Sequence, residues 1–102
     1  MASGVARTAS GKYIGTGAAL EIVSDKVGFY PKRVTIVRLT TAVDRVEHLS
    51  GVHADGVSLK QAEAGGNALQ SGCVTPETTG FSLGTDAGVN NSGDEYAYFC
   101  EE

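Results

Sequence analysis

Two histidines and a neighbouring carboxylate are the residues of this chain whose types come nearest to a metal site. His48 and His53 are five residues apart, and Asp55 follows closely. Imidazole and carboxylate groups bind transition metals, but two such groups share one face only at i, i+2 on a strand or i, i+4 on a helix. Because a spacing of five fits neither pattern, the sequence predicts no metal ion and no cofactor here.

A segment rich in side-chain oxygens lies near the carboxyl end. Asp86, Asn90, Asn91 and Asp94 carry the carboxylate and amide groups that Ca²⁺ prefers as ligands. An EF-hand loop would need another Asp or Asn where Gly88 stands. Asp and Asn also stabilise turns without any metal, so the sequence favours a turn over a calcium site.

Catalytic motifs are missing from the sequence. Neither G-x-S-x-G nor H-E-x-x-H occurs, and those patterns are what place a nucleophile or a zinc ion in common hydrolases. Gly15 and Gly17 bracket a possible phosphate loop, but Leu20 occupies the place of the third glycine of a dinucleotide fingerprint. We therefore predict a tight turn at residues 15–17 rather than a phosphate site.

The two cysteines, Cys73 and Cys100, are not part of a C-x-x-C pair. They would form one disulfide only if the fold brought them together. Two cysteines are too few for a disulfide-dense secreted scaffold, so a reduced, cytosolic state is the simpler interpretation. Cys100 lies in an apolar run and is predicted to be a small core residue.

The composition describes one small domain with an uneven distribution of charge. The chain has 102 residues, 14 of them glycine, and a formal net charge of −4, which disfavours a basic nucleic-acid binder. Residues 1–45 carry seven basic and three acidic residues, whereas residues 46–102 carry one basic and nine acidic residues. The two halves either pair across strands within one sheet, or form a dipolar subunit that stacks on a neighbour. In the second interpretation the candidate partner contacts are Arg7, Lys32, Arg33 and Arg38.

The pattern of hydrophobic residues predicts a flexible N-terminal arm over residues 1–11 and a single β-sandwich domain over residues 12–102. The arm is small and polar, with no apolar signal-peptide core. No apolar run is long enough to span a bilayer, so we expect no membrane partner.

Short β-prone runs separated by turn residues predict an all-β fold, either a small antiparallel β-sandwich or a jelly-roll-like barrel. The predicted strands cover residues 12–16, 20–23, 33–40, 43–50, 79–84 and 94–100. A one-turn helix is the alternative for 43–50. Residues 51–79 are ambiguous between short strands at 56–59 and 72–75 and a helical turn at 60–64.

The run at residues 33–40 is apolar on both faces and is therefore predicted to lie in the middle of the sandwich. Arg38 shares the face of Val34 and Ile36 and is predicted to mark where that face meets solvent or a neighbour. In the last run, Tyr96, Tyr98 and Cys100 share one face and Phe99 lies on the other. We expect the core to use the aromatic residues first.

Three segments resemble small β-domains of tailed-bacteriophage virion proteins. The first is GKYIGTG at residues 11–17. The second is VGFYPKRVTIV at 27–37, which is similar to the family pattern GF-x-P-x-x-V-x-I. The third is GFSLGTDAGVNNSGDEYAYF at 80–99, which resembles the GF-x-(V/I)-G-x-D-x-x-VN-x-x-G-x-x-Y-x-Y ending of tail-fibre and capsid-associated domains.

The third segment is interpreted as a hairpin in which Phe81 and Leu83 face Tyr96 and Tyr98. Its glycines permit the positive φ angles that such a loop needs. The residues assigned to this structural hairpin are Phe81, Gly84, Asp86, Asn90, Gly93, Tyr96 and Tyr98.

The resemblance implies a structural virion component without catalysis or cofactor. Standing alone with a polar arm, the domain suits a head decoration (cement) protein, a type that forms homotrimers and clamps neighbouring capsomers. The implied partners are the major capsid protein and further copies of the chain, in a virion assembled in the host cytoplasm. The alternatives are a tail, neck or fibre component that binds a glycan or a tail protein, and a small enzyme or metal-binding domain.

Overall fold

The computed structural model describes residues 7–22, 27–40, 43–62 and 65–102. Within these ranges the chain forms nine strands and one short helix. In chain order they are β1 (Thr8–Ile14), β2 (Leu20–Ile22), β3 (Arg33–Arg38), β4 (Arg45–Leu49), β5 (Ser58–Gln61), β6 (Asn67–Gln70), β7 (Val74–Glu77), β8 (Gly80–Leu83), α1 (Ala87–Asn90) and β9 (Glu95–Glu101).

The strands form two antiparallel sheets. The larger sheet has the order β1-β9-β3-β4-β5-β6, and the smaller has the order β2-β8-β7. The prediction of a small all-β sandwich is confirmed. The fold follows from short alternating runs, each of which must bury one face against another layer.

The core lies between the two sheets and is mostly aromatic and β-branched. Phe81 of β8 and Tyr98 of β9 meet edge to face, with ring centroids 5.6 Å apart. Tyr13 of β1 stacks on Tyr96 of β9 at 5.2 Å. Cys100 is fully buried, as predicted. The core uses five of the seven aromatic residues, whereas Tyr30 and Phe99 are 48% and 43% exposed.

Only one face of β3 is buried, and this corrects the prediction of two buried faces. Val34 and Ile36 are inaccessible to solvent, whereas Val37 is partly exposed and Leu39 is 41% exposed. The physical reason is that the smaller sheet covers one side of the larger sheet and leaves the other side uncovered.

The first strand begins earlier than predicted. β1 starts at Thr8 and pairs with β9 along its whole length, so residues 8–11 belong to the sheet rather than to an arm. The predicted arm otherwise falls on residues 1–6, which lie outside the described residues. The small side chains of this segment fit the space, because a Cβ on Gly11 would lie 2.8 Å from the Tyr98 hydroxyl oxygen.

The ambiguous middle of the chain is β-structure where the structure describes it. β5, β6 and β7 occupy it, and the strand alternatives at 56–59 and 72–75 were each about two residues early. The helical turn at 60–64 is wrong for Lys60 and Gln61, which lie in β5, while residues 63 and 64 lie outside the described residues. β4 is a strand that pairs antiparallel with β3, so the helical alternative for 43–50 is wrong for the residues of β4.

The predicted hairpin between the last two long runs is wrong. β8 pairs with β2 and β7, whereas β9 pairs with β1 and β3. The intervening segment contains α1 and carries the chain from one sheet to the other. Phe81 and Tyr98 still meet, because β8 and β9 face each other across the sandwich.

Candidate interaction surface

The oxygen-rich segment at residues 85–94 uses its polar groups inside the molecule. Asp86 caps α1 by accepting a hydrogen bond from the Gly88 backbone N–H at 2.9 Å, and it also accepts one from the Lys60 ammonium at 3.0 Å. A side-chain oxygen at the residue before a helix satisfies a backbone donor that the helix cannot. Asp86 is therefore a structural cap.

Asn90 is fully buried and connects three separate segments. Its carbonyl oxygen accepts from the Thr16 backbone N–H at 2.7 Å, and its amide donates to the carbonyls of Gly84, at 2.9 Å, and of Ala18. The connection between β1 and β2, which bends at residues 17–18, is thereby held against the end of α1. The first and third sequence segments that carry the resemblance are thus joined by one side chain.

Two tyrosine hydroxyls donate hydrogen bonds to backbone carbonyls of α1. Tyr13 donates to the Val89 carbonyl and Tyr96 donates to the Ala87 carbonyl, each at 2.6 Å. Tyr96 also accepts from the Asn91 backbone N–H at 2.8 Å. Burial raises the pKa of both phenols, so both remain neutral donors near neutral pH.

Gly84 and Gly93, next to and within this segment, are glycine for two different structural reasons. A Cβ on Gly84 would lie 2.4 Å from the Gly72 carbonyl oxygen, which is closer than real side chains approach. Gly93 has φ +85° and open space around it, so backbone conformation rather than packing selects glycine there.

Arg38 is an internal ion-pair residue. It is 8% exposed, its Nε donates to Asp94 Oδ2 at 3.0 Å, and its Nη1 donates to Asp44 Oδ2 at 3.2 Å. The hydrogen bond that Arg38 donates to Asp94 is the main reason that the pKa of Arg38 is raised. The expectation that Arg38 marks solvent or contacts a partner is corrected, because both carboxylates that neutralise it come from this chain.

The histidines serve the fold around β4. The His48 and His53 rings are 5.7 Å apart. His48 Nδ1 lies 2.9 Å from the Val57 carbonyl oxygen, to which it must donate, and His53 Nδ1 accepts from the Leu49 backbone N–H at 3.1 Å. Among the described residues, no three His, Cys, Asp or Glu side chains are grouped as a metal site would require.

Both cysteines are buried and free. Burial raises the pKa of the Cys73 thiol to about 12 and that of Cys100 to about 11. Since the thiolate is the reactive form, neither side chain is set up as a nucleophile.

The large uncovered surface is the outer face of the larger sheet. One row of paired residues crosses all six strands, and its exposed apolar members are Phe99 of β9 and Leu69 of β6, which is 64% exposed. The row is Ser10, Phe99, Thr35, Glu47, Leu59 and Leu69. The next row is Lys12, Ala97, Val37, Arg45, Gln61 and Asn67.

Charge on this face is concentrated around Arg33. Its guanidinium lies 2.9 Å from Glu47 and 3.5 Å from Glu101, and Arg45 lies 3.7 Å from the same Glu47 oxygen. Exposed pairs of this type stabilise a fold little. They place the Arg33 guanidinium between acidic groups of β4 and β9, on the same face as Phe99.

The remaining predicted contacts, Arg7 and Lys32, are exposed. Arg7 pairs with Glu102 at 2.6 Å, and its guanidinium carbon lies 5.4 Å from the Phe29 ring centre. The hydrogen bond with Arg7 lowers the pKa of Glu102. Together with the Arg33 and Arg38 pairs, this contact supports the interpretation in which the basic and acidic halves of the chain pair within one fold.

Comparison of the chain with protein-family models, curated proteins and solved structures found no match.

Along the described ranges, no helix is long and apolar enough to cross a membrane.

Sequence reasoning placed Phe99 on the face opposite Tyr96 and Tyr98 but did not identify that face as exposed surface. Strict alternation in the last strand indicates only that Phe99 lies opposite the tyrosines. The position of the smaller sheet shows that the tyrosine side is covered and the Phe99 side is exposed.

Proposed function

We propose that this protein is a non-enzymatic structural component of a tailed-phage particle. Within that class we favour a head decoration protein that binds the major capsid protein across neighbouring capsomers and also contacts copies of itself. The single observation that carries the proposal is the uncovered outer face of the larger sheet, which presents Phe99, Val37 and Leu69, with the paired guanidinium of Arg33 on the same face.

The residues that carry the resemblance also support a structural role. Asn90 joins residue Thr16 to α1, and the hydroxyls of Tyr13 and Tyr96 join β1 and β9 to α1. The segment at 27–37 is tied in as well, since the Gly28 N–H donates to the Thr79 carbonyl and the Lys32 N–H to the Glu101 carbonyl. The three segments therefore form one connected framework beneath the binding face.

The composition of the outer face suits protein binding. Interfaces draw most of their affinity from a few aromatic and arginine residues surrounded by weaker contacts. Fully burying a phenylalanine is worth roughly 1.5–3 kcal/mol. Phe99 is 43% exposed on this face, and Arg33 lies two positions along β3 from its partner Thr35. A decoration protein would use such a face to add buried area across capsid joints.

The alternative location is the tail, neck or fibre, with a glycan or a tail protein as ligand. Exposed aromatic rings also stack on sugars, so the outer face is compatible with this role. The two locations differ in which part of the particle binds the protein.

The test uses particles of the phage that encodes the chain, assembled without this protein and separated into heads and tails. Purified protein should cosediment with heads. Phe99→Ser should weaken that binding about tenfold or more, because an aromatic residue at the centre of an interface contributes about 2 kcal/mol or more. Val52→Ser is the matched control, since Val52 is 73% exposed in the loop after β4 and lies off the sheet.

Binding to tails alone, or a specific hit on a glycan array without head binding, would favour the alternative. Equal binding by wild type and Phe99→Ser would exclude the outer face as the contact surface. If neither heads nor tails bind the wild-type protein, the virion role is wrong.

A further inference from the structure

Each sheet has two edge strands, and most of these edges are protected against pairing with another chain. Natural proteins protect edges with charged side chains, proline or very short strands. β1 carries Lys12, β2 is three residues long and carries Glu21, and β7 contains Pro76 and Glu77. These three edges therefore resist addition of a further strand.

β6 differs from the other edges of the described sheets. Its residues are Asn67, Ala68, Leu69 and Gln70, with neither a charge nor a proline among them. The first three are exposed. β6 pairs only with β5, at the end of the sheet order.

The register identifies which backbone groups of β6 point away from the sheet. The Ala62 N–H donates to the Gly66 carbonyl at 3.0 Å, and hydrogen-bonded pairs in an antiparallel ladder alternate with non-bonded pairs. The bonded pairs are therefore Lys60 with Ala68 and Ser58 with Gln70. It follows that the N–H and C=O groups of Asn67 and Leu69 are directed to the open edge.

We propose that β6 pairs with β6 of a second copy of this chain, antiparallel and about a two-fold axis. A two-fold contact brings a surface against itself, so a charged strand would meet its own charge and an uncharged one does not. Asn67 of one copy then lies opposite Leu69 of the other, which allows about four backbone hydrogen bonds.

The side chains agree with this pairing. Leu69 and its neighbour Leu59 lie in one row on the outer face. In this register the Leu69 side chains of the two copies lie diagonally across the joint on that same face, within reach of each other. The outer faces of both copies then form one continuous surface. The contact is independent of capsid binding, since it needs only the edge of the sheet.

Leu69→Pro is the sharpest test, because it removes an outward N–H and leaves the β5 hydrogen bonds intact. Sedimentation equilibrium of the wild-type protein should show a monomer–dimer equilibrium. The variant should dissociate about tenfold or more readily, since two hydrogen bonds per dimer are lost at roughly 0.5–1.5 kcal/mol each. Ser10→Pro is the matched control: it removes an outward N–H from β1, and the dimer should persist.

Three results would overturn the pairing: a wild-type monomer at all concentrations, a dimer lost in Ser10→Pro but kept in Leu69→Pro, or loss of association in both variants with recovery on mixing them. The last result would mean that β6 pairs head to tail with β1, as in a ring. If the protein binds capsids but remains monomeric, the pairing of β6 is wrong and the proposed function is unaffected.

A charge exchange serves if Leu69→Pro fails to fold. Leu69→Lys and Leu69→Glu should each dimerise more weakly than wild type, because like charges meet diagonally across the joint. An equimolar mixture should recover the dimer as a heterodimer. No recovery on mixing, with both variants folded by circular dichroism, would contradict the pairing.

Discussion

His48 is a buried imidazole that the fold keeps neutral. It is inaccessible to solvent. Within the described part of the chain, its Nε2 atom is buried and has no hydrogen-bond partner. Burial is the main cause of the lowered pKa of His48, with a smaller contribution from His53. Protonation would place a charge and a new donor where no acceptor is available.

This burial predicts a pH dependence of stability. In the unfolded chain the pKa of histidine is about 6.5, and in the folded protein that of His48 is lower. As the pH drops below about 6.5, the unfolded state binds a proton at this histidine more readily than the folded state does. The free energy of unfolding therefore falls as the pH drops from about 6.5 toward the folded pKa of His48.

We expect the melting temperature of His48→Gln to fall less than that of the wild type when the pH is lowered from 7.5 to 5. Differential scanning calorimetry at the two pH values measures the difference. The carboxylates titrate in both proteins and cancel in the comparison. Parallel pH profiles for the two proteins would show that His48 is not the group responsible.

At the scale of elements, α1 is too short to be stable by itself, since isolated helices of a single turn are marginal. It persists because groups outside it satisfy its backbone: Asp86 at its start and the hydroxyls of Tyr13 and Tyr96 beneath it. Asn90 then fastens the neighbouring turn and the end of β8 to it. This connection carries the chain from the smaller to the larger sheet.

We therefore expect Asn90→Ala to lower the free energy of unfolding by roughly 1–3 kcal/mol, the usual cost of leaving a buried hydrogen-bonding group without its partner, because the three groups affected are only partly buried. The groups affected are the Thr16 N–H and the carbonyls of Ala18 and Gly84. Urea unfolding measures the loss. Asn91→Ala is the control, because the exposed Asn91 side chain bonds only to Asp94 and should cost much less. Equal losses in the two variants would refute the connecting role of Asn90.

At the scale of the whole molecule, stability depends on packing between the two sheets. Phe81 is the largest side chain that the smaller sheet contributes to the fully buried core, and it meets Tyr98 of the larger sheet. Removing it would open a cavity between the layers.

Phe81→Ala should lower the free energy of unfolding by roughly 3–5 kcal/mol, the usual cost of removing a core aromatic ring. Phe99→Ala offers a control with the same chemical change on the uncovered face, where the loss should stay below about 1 kcal/mol. Chemical unfolding of both variants gives the comparison. A loss below about 1 kcal/mol for Phe81→Ala would mean that the two sheets do not depend on this contact.

Much of the architecture was predictable because strand periodicity is local. Alternation in the last run separated Tyr96, Tyr98 and Cys100 from Phe99, and the run that begins at Arg33 was a clear strand. The β-sandwich class follows from the number of such runs and the turns between them. The interaction surface was only half predictable, since alternation tells which residues share a face and not which face is covered.

The tertiary structure alone decided which strands share a sheet and what each face meets. Phe81 and Tyr98 contact each other in a hairpin and in a sandwich alike, so their pattern could not distinguish neighbours within a sheet from partners across two sheets. Arg38 is buried because Asp94 and Asp44 converge on it from other parts of the chain. Strand formation is encoded by neighbouring residues, whereas pairing, burial and the open edge of β6 arise from contacts between residues far apart in sequence.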